Sequence, residues 1–128
     1  MSIEFDILAD KRWHIHERKL IDIRVTDSEG NPIDLTPTSL IWRVTRWPGR
    51  EPLFLTRSTT EATITPVAHD DDEVGTKSIA RCAVEASDYM DFPGSGVWHH
   101  ELRDSSDDLV LSTGKAVLLP ALPAEEES

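Results

Sequence analysis

Along most of this chain apolar and polar residues alternate one for one, the spacing of strands whose two sides meet different surroundings. Ile3, Phe5 and Ile7 share one side of the first such run. After a polar turn from Ala9 to Arg12, Trp13-His14-Ile15-His16 alternates again, and Lys19 to Val25 continues with Ile21, Ile23 and Val25 inward. The clearest strand runs from Ser39 to Trp47. There Leu40, Trp42 and Val44 share one face, and Ile41, Arg43, Thr45 and Trp47 share the other. Short strands follow at Leu53-Phe54-Leu55, Glu61 to Val67 and Lys77 to Glu85. From Val97 to Arg103, Trp98, His100 and Leu102 face away from His99, Glu101 and Arg103. Leu109-Val110-Leu111 and Gly114 to Leu119 then give the returning arm of a closing hairpin.

Turn chemistry separates these runs. Asp27-Ser28-Glu29-Gly30-Asn31-Pro32 offers Gly30 or Asn31 for a positive φ, and Pro48-Gly49 occupies the two central places of a type II turn. Ser87-Asp88-Tyr89-Met90 reads as one helical turn capped by Ser87, with Tyr89 and Phe92 plugging one end of the fold. Eight or nine short strands and no longer helix predict an all-β chain, a single antiparallel β-sandwich of Greek-key or immunoglobulin-like type. No repeat or linker divides it. Residues 1–119 form the expected domain, and 120–128 a proline-containing acidic tail.

Composition narrows the function classes more than it identifies one. At 128 residues the chain is one domain in length, long enough to bury a core without covalent staples. Its one cysteine, Cys82, excludes an internal disulfide and a cysteine-rich metal site, and its place in a strand predicts a buried small side chain. Net charge is −11, and all of the imbalance lies in residues 58–128, which hold four basic and fifteen acidic residues. Such a surface repels phosphate backbones and anionic lipid, so neither nucleic acid nor membrane is an expected partner. The first residues lack the basic start and apolar core of a secretory signal, and no apolar run has the length of a membrane span.

The search for chemistry finds little. His14 and His16, two apart on a strand, would point the same way and could join His99 or His100 around zinc or nickel. Lying among arginines and glutamates, they read better as partly exposed strand residues. Asp70-Asp71-Asp72-Glu73 and Asp107-Asp108 supply clustered oxygens, but consecutive spacing splays them, which fits a solvated loop better than a calcium site. No nucleophile elbow or glycine-rich phosphate loop occurs. No catalytic residue, metal or cofactor and no small-molecule substrate is expected, so the chain reads as a non-enzyme. Trp42 and Trp98 are expected in the core. Trp13 and Trp47, the latter on the face of Arg43, have the composition of a contact hot spot.

The layout resembles the small β-sandwich domains of tailed-bacteriophage virion proteins, including the N-terminal domain of baseplate upper proteins. The resemblance is carried by Asp27-Ser28-Glu29-Gly30-Asn31-Pro32-Ile33-Asp34-Leu35-Thr36 and by Leu40-Ile41-Trp42-Arg43-Val44-Thr45-Arg46 with Pro48-Gly49 after it. It continues in Gly96-Val97-Trp98-His99-His100-Glu101-Leu102 and in Gly114-Lys115-Ala116-Val117, covering roughly residues 3–119. Trp98 stands where the family has tyrosine, and Asp10-Lys11-Arg12 lacks a glycine often found there. The resemblance implies a structural role in a virion assembled in the host cytoplasm, in tail or baseplate first. Capsid decoration or head-tail connection comes second. Partners would be copies of the chain and other virion proteins, reached through edge strands and through Ile3, Phe5, Trp13, Arg43, Trp47 and Leu122. A carbohydrate- or receptor-binding sandwich, with Trp13 and Trp47 as stacking platforms, is the alternative from another class.

Overall fold

Backbone pairing sorts the strands into two sheets that turn their apolar sides toward one shared core. The structure, a computed structural model, describes residues 10–47, 50–89 and 96–120. In chain order the strands are β1 (Lys11–His14), β2 (Lys19–Arg24), β3 (Leu40–Trp47), β4 (Arg50–Ser58), β5 (Ile64–Val67), β6 (Ile79–Val84), β7 (Gly96–Asp104) and β8 (Leu109–Leu119). A five-stranded sheet has the order β1-β8-β7-β3-β4, and a three-stranded sheet has the order β2-β6-β5. The chain crosses between layers four times, so its neutral first half and acidic second half are interleaved in space. The expected all-β sandwich is the fold. The expected strand at Ile3, Phe5 and Ile7 and the Pro48-Gly49 turn lie outside the described residues.

Alternation holds where it is cleanest. Leu40, Trp42 and Val44 of β3 face Trp98, His100 and Leu102 of β7 across the inner side of the large sheet, all buried. Ile21 and Ile23 of β2 with Ala80, Cys82 and Val84 of β6 close the other layer. Burial pushes the Cys82 thiol's pKa far up, so it stays protonated and serves as a small apolar filler. Pro66, which has no N–H to donate, sits in β5 at the edge of its sheet. Between the layers Arg57 reaches from β4, donating from Nε to the Ala83 carbonyl (2.6 Å) and pairing through Nη2 with Asp88. A single 3-10 turn, Ala86–Tyr89, follows β6. Asp88, not Ser87, accepts the capping bond from the Glu85 amide (2.7 Å). Tyr89 is buried at that end, and burial pushes its phenol up to about 12 although the indole of Trp13 donates to it (2.6 Å).

Several expectations are corrected. Lys11 and Arg12, read as a turn, begin β1, because that strand pairs in parallel with β8, Arg12 opposite Val117 and His14 opposite Leu119. An all-antiparallel sandwich is therefore departed from at this edge. His14 and His16 do not share a face: His16 has φ 68°, which ends the strand and turns its ring onto Tyr89. Glu61 and Ala62 belong to a turn, Ala62 at φ 59°, and β5 starts only at Ile64. The closing arm is one strand of eleven residues with Leu111 as an extra, buried residue between the pairs Leu102–Ser112 and Arg103–Val110.

Candidate functional site

The side of the five-stranded sheet that faces away from the other layer carries the chain's least explained chemistry. Its outward positions follow from the registers. Arg43 on β3 stands opposite Glu101 on β7 and Thr56 on β4, while Thr45 stands opposite His99 and Leu53. His99 is opposite Lys115, and Val97 opposite Val117, which in turn neighbours Arg12. Among the described side chains of its strands, this face holds Arg12, Arg43, Arg103 and Lys115 against one carboxylate, that of Glu101, on a chain whose net charge is −11. Arg103 is spent on Glu101 (3.2 Å) and Asp108 (2.6 Å). Among the described residues Arg12, Arg43 and Lys115 have no ion-pair partner.

Apolar side chains sit between those cations. Trp47 is 56% exposed, Leu53 48% and Val97 46%. A polar residue at any of them would cost the fold little, so core packing does not explain their presence. Local geometry keeps them outward. The register of β3 on β4 slips between Val44 and Thr45, leaving Phe54 as the extra residue between Leu53 and Leu55. Phe54 turns inward, 5.1 Å from Tyr89 and 6.0 Å from Trp98 between ring centroids, and Leu53 keeps its place beside Thr45. Thr45 Oγ1 donates to the Trp47 carbonyl (2.7 Å) across a second slip, bending the end of β3. Arg46 holds that end. Its guanidinium lies 5.6 Å from the Trp47 ring and 5.7 Å from that of Trp98, and it donates to the Val97 carbonyl (2.9 Å). Gly96, at φ 138°, leaves it room, since a Cβ there would meet Arg46 Nη1 at 3.0 Å.

Of the residues predicted as contacts, Arg43 and Trp47 share this face. Trp13 does not. It is 3% exposed, packed on Trp42 and bonded to Tyr89, because its side of β1 faces Leu118 and the core. Ile3, Phe5 and Leu122 lie outside the described residues. Leu53, Val97, Arg12 and Lys115 were not singled out from sequence. Period two places Val97 beside His99, but the continuous run Leu53-Phe54-Leu55 gives no sign of which residue a bulge will turn inward.

The histidines do not assemble. His14 faces outward with Nδ1 2.9 Å from the Pro120 carbonyl, and His16 lies on Tyr89. His100 is buried, its Nδ1 accepting from the Trp42 indole (3.2 Å). No three of His, Cys, Asp and Glu gather to hold a metal ion among the described residues, and no helix there is long and apolar enough to cross a membrane.

The acidic loop between β5 and β6 is only partly the solvated run expected of it. The side chain of Asp72 is fully covered. Its Oδ2 accepts from the amides of His69 and Ser78 (2.9 Å each), and its Oδ1 from the Ser78 hydroxyl (2.9 Å), with Arg24 at 3.7 Å. Burial alone would push its carboxyl up. The three hydrogen bonds and Arg24 outweigh burial and hold it below the usual 3.8. Asp70, Asp71 and Glu73 remain exposed around Val74, which projects fully (106%) from the loop tip. No known family matches the chain, and a search of curated proteins returns no match.

Proposed function

We propose that this chain is a non-enzymatic structural component of a tailed-phage virion, in the tail or baseplate, working through fixed contacts with neighbouring subunits. The observation that carries the reading is the outer face of the five-stranded sheet, where Trp47, Leu53 and Val97 stand exposed among cations that have no ion-pair partner among the described residues. Exposed aromatic and aliphatic side chains beside arginine are the composition of a contact hot spot. The turn-and-strand resemblance to phage sandwich domains supplies the setting. Capsid decoration and head-tail connection use the same adhesive chemistry and differ in copy number. The glycan-binding alternative is weakened by the burial of Trp13, which leaves Trp47 as its one platform.

Quantitative mass spectrometry of gradient-purified particles tests this. The chain is expected at a fixed ratio to the major tail protein; a chain present in the lysate and missing from the particles would refute the reading. Glycan-array binding lost on Trp47→Ala would favour the carbohydrate module instead.

A further inference from the structure

Two surfaces of this molecule complement each other and belong to opposite layers. One is the strip of three apolar side chains (Trp47, Leu53, Val97) with Arg12, Arg43 and Lys115 around them, cations that have no ion-pair partner among the described residues. The other is the β5–β6 loop, which carries one fully projecting Val74 and the exposed Asp70, Asp71 and Glu73 beside it in sequence. The loop cannot serve the strip of its own chain. It joins two strands of the three-stranded sheet and is tied to that layer by Asp72 on Ser78 and by the Leu35 amide on the Lys77 carbonyl (2.8 Å). The strip faces away from that layer. Nor does the strip suit a copy of itself, because a two-fold contact would set its cations against one another.

We infer that the outer face of the five-stranded sheet receives the 69–75 loop of a second copy of this chain, head to tail. Val74 seats against Trp47, Leu53 and Val97, and the loop carboxylates meet Arg12, Arg43 and Lys115. The loop is shaped for it. Asp72, turned inward and held by three hydrogen bonds and by Arg24, fixes the loop, so that its exposed acidic neighbours lose little freedom on docking. Because donor and acceptor surfaces differ, each bound copy offers a free end, and the contact closes into a ring or extends as a stack. This rests on the structural reading above and gives it a repeating contact.

Sedimentation velocity of the full chain, from low to high micromolar concentration and at low and high salt, tests it. Species larger than a dimer are expected to grow with concentration and to shrink when salt is raised. Arg43→Ala with Trp47→Ala, and separately Asp71→Lys with Glu73→Lys, are each expected to weaken association at least tenfold while leaving the melting temperature in place. The two variants mixed are the decisive arm. One has an intact loop and the other an intact face, so together they should form a heterodimer that grows no further. A chain that stays monomeric at low salt, association that the loop variant leaves unchanged, or a mixture that fails to pair would each overturn the proposal. Such a failure leaves the presence of the chain in purified particles, read by mass spectrometry, as a separate result.

Discussion

The two outer faces of this sandwich treat their charges in opposite ways. On the three-stranded sheet Asp22 and Arg81 stand directly opposite each other and form a two-pronged pair (2.8 and 2.9 Å), and Arg24 leans on Asp72. On the five-stranded sheet Arg43 also has an acid across from it, Glu101, but that carboxylate is taken by Arg103. Among the described residues three cations, Arg12, Arg43 and Lys115, are left over on the face that also carries the exposed Trp47. A face that neutralises itself is finished as a boundary with water. A face that holds cations and apolar groups unmatched on an acidic protein is arranged for something else to complete it.

That contrast can be broken from inside first, since both faces rest on one core. Trp42→Ala removes a fully buried indole that touches Trp13 and His100, and should cost about 3–5 kcal/mol in urea unfolding. His100→Leu comes next. It keeps the volume roughly constant but strips the acceptor from the Trp42 indole N–H, and about 1–3 kcal/mol should be lost. A smaller loss from His100→Leu than from Trp47→Ala would mean that inner and outer sides have been misassigned.

Acid should act on the loop. The folded pKa of Asp72 is depressed, so its contribution to stability is fully present above the ordinary value of 3.8 and is lost as pH falls below that. Asp72→Asn should therefore flatten the acid limb of a stability-against-pH curve below about pH 4. An unchanged limb would show that the carboxylate is not held as described. Further down in size, a double-mutant cycle on Asp22 and Arg81 should give a small coupling that fades in high salt, while the same cycle on Arg43 and Glu101 should give none. Smallest of all, Trp47→Ala should shift stability by less than about 0.5 kcal/mol while reducing association strongly.

Sequence reveals the inner side of this molecule far better than the outer. Trp42, Trp98, His100 and Leu102 follow period two because burial on one side of a strand enforces it. The closing hairpin was legible for the same reason. What escaped depended on single-residue events that composition does not encode. A bulge decides that Phe54 turns in and Leu53 stays out, and a positive φ at His16 ends a strand whose alternation runs on. Trp13 departs from the contact role expected of it because parallel pairing of β1 with β8 sets it beside Leu118 on the inner side, where its indole packs on Trp42. The contact face was half visible. Arg43 and Trp47 share a parity in β3, but Arg12, Lys115 and Val97 come from strands that only the sheet order brings alongside.

Photo-cross-linking in purified particles tests most directly whether the outer face of the five-stranded sheet is the side that holds its neighbours. A photo-reactive phenylalanine at position 53 is compared with one at position 20, a half-exposed leucine on the self-neutralised face. Under the virion role proposed above, position 53 is expected to link to a neighbouring subunit and position 20 to stay unlinked. Links from position 20 alone, in particles that contain the chain, would contradict it.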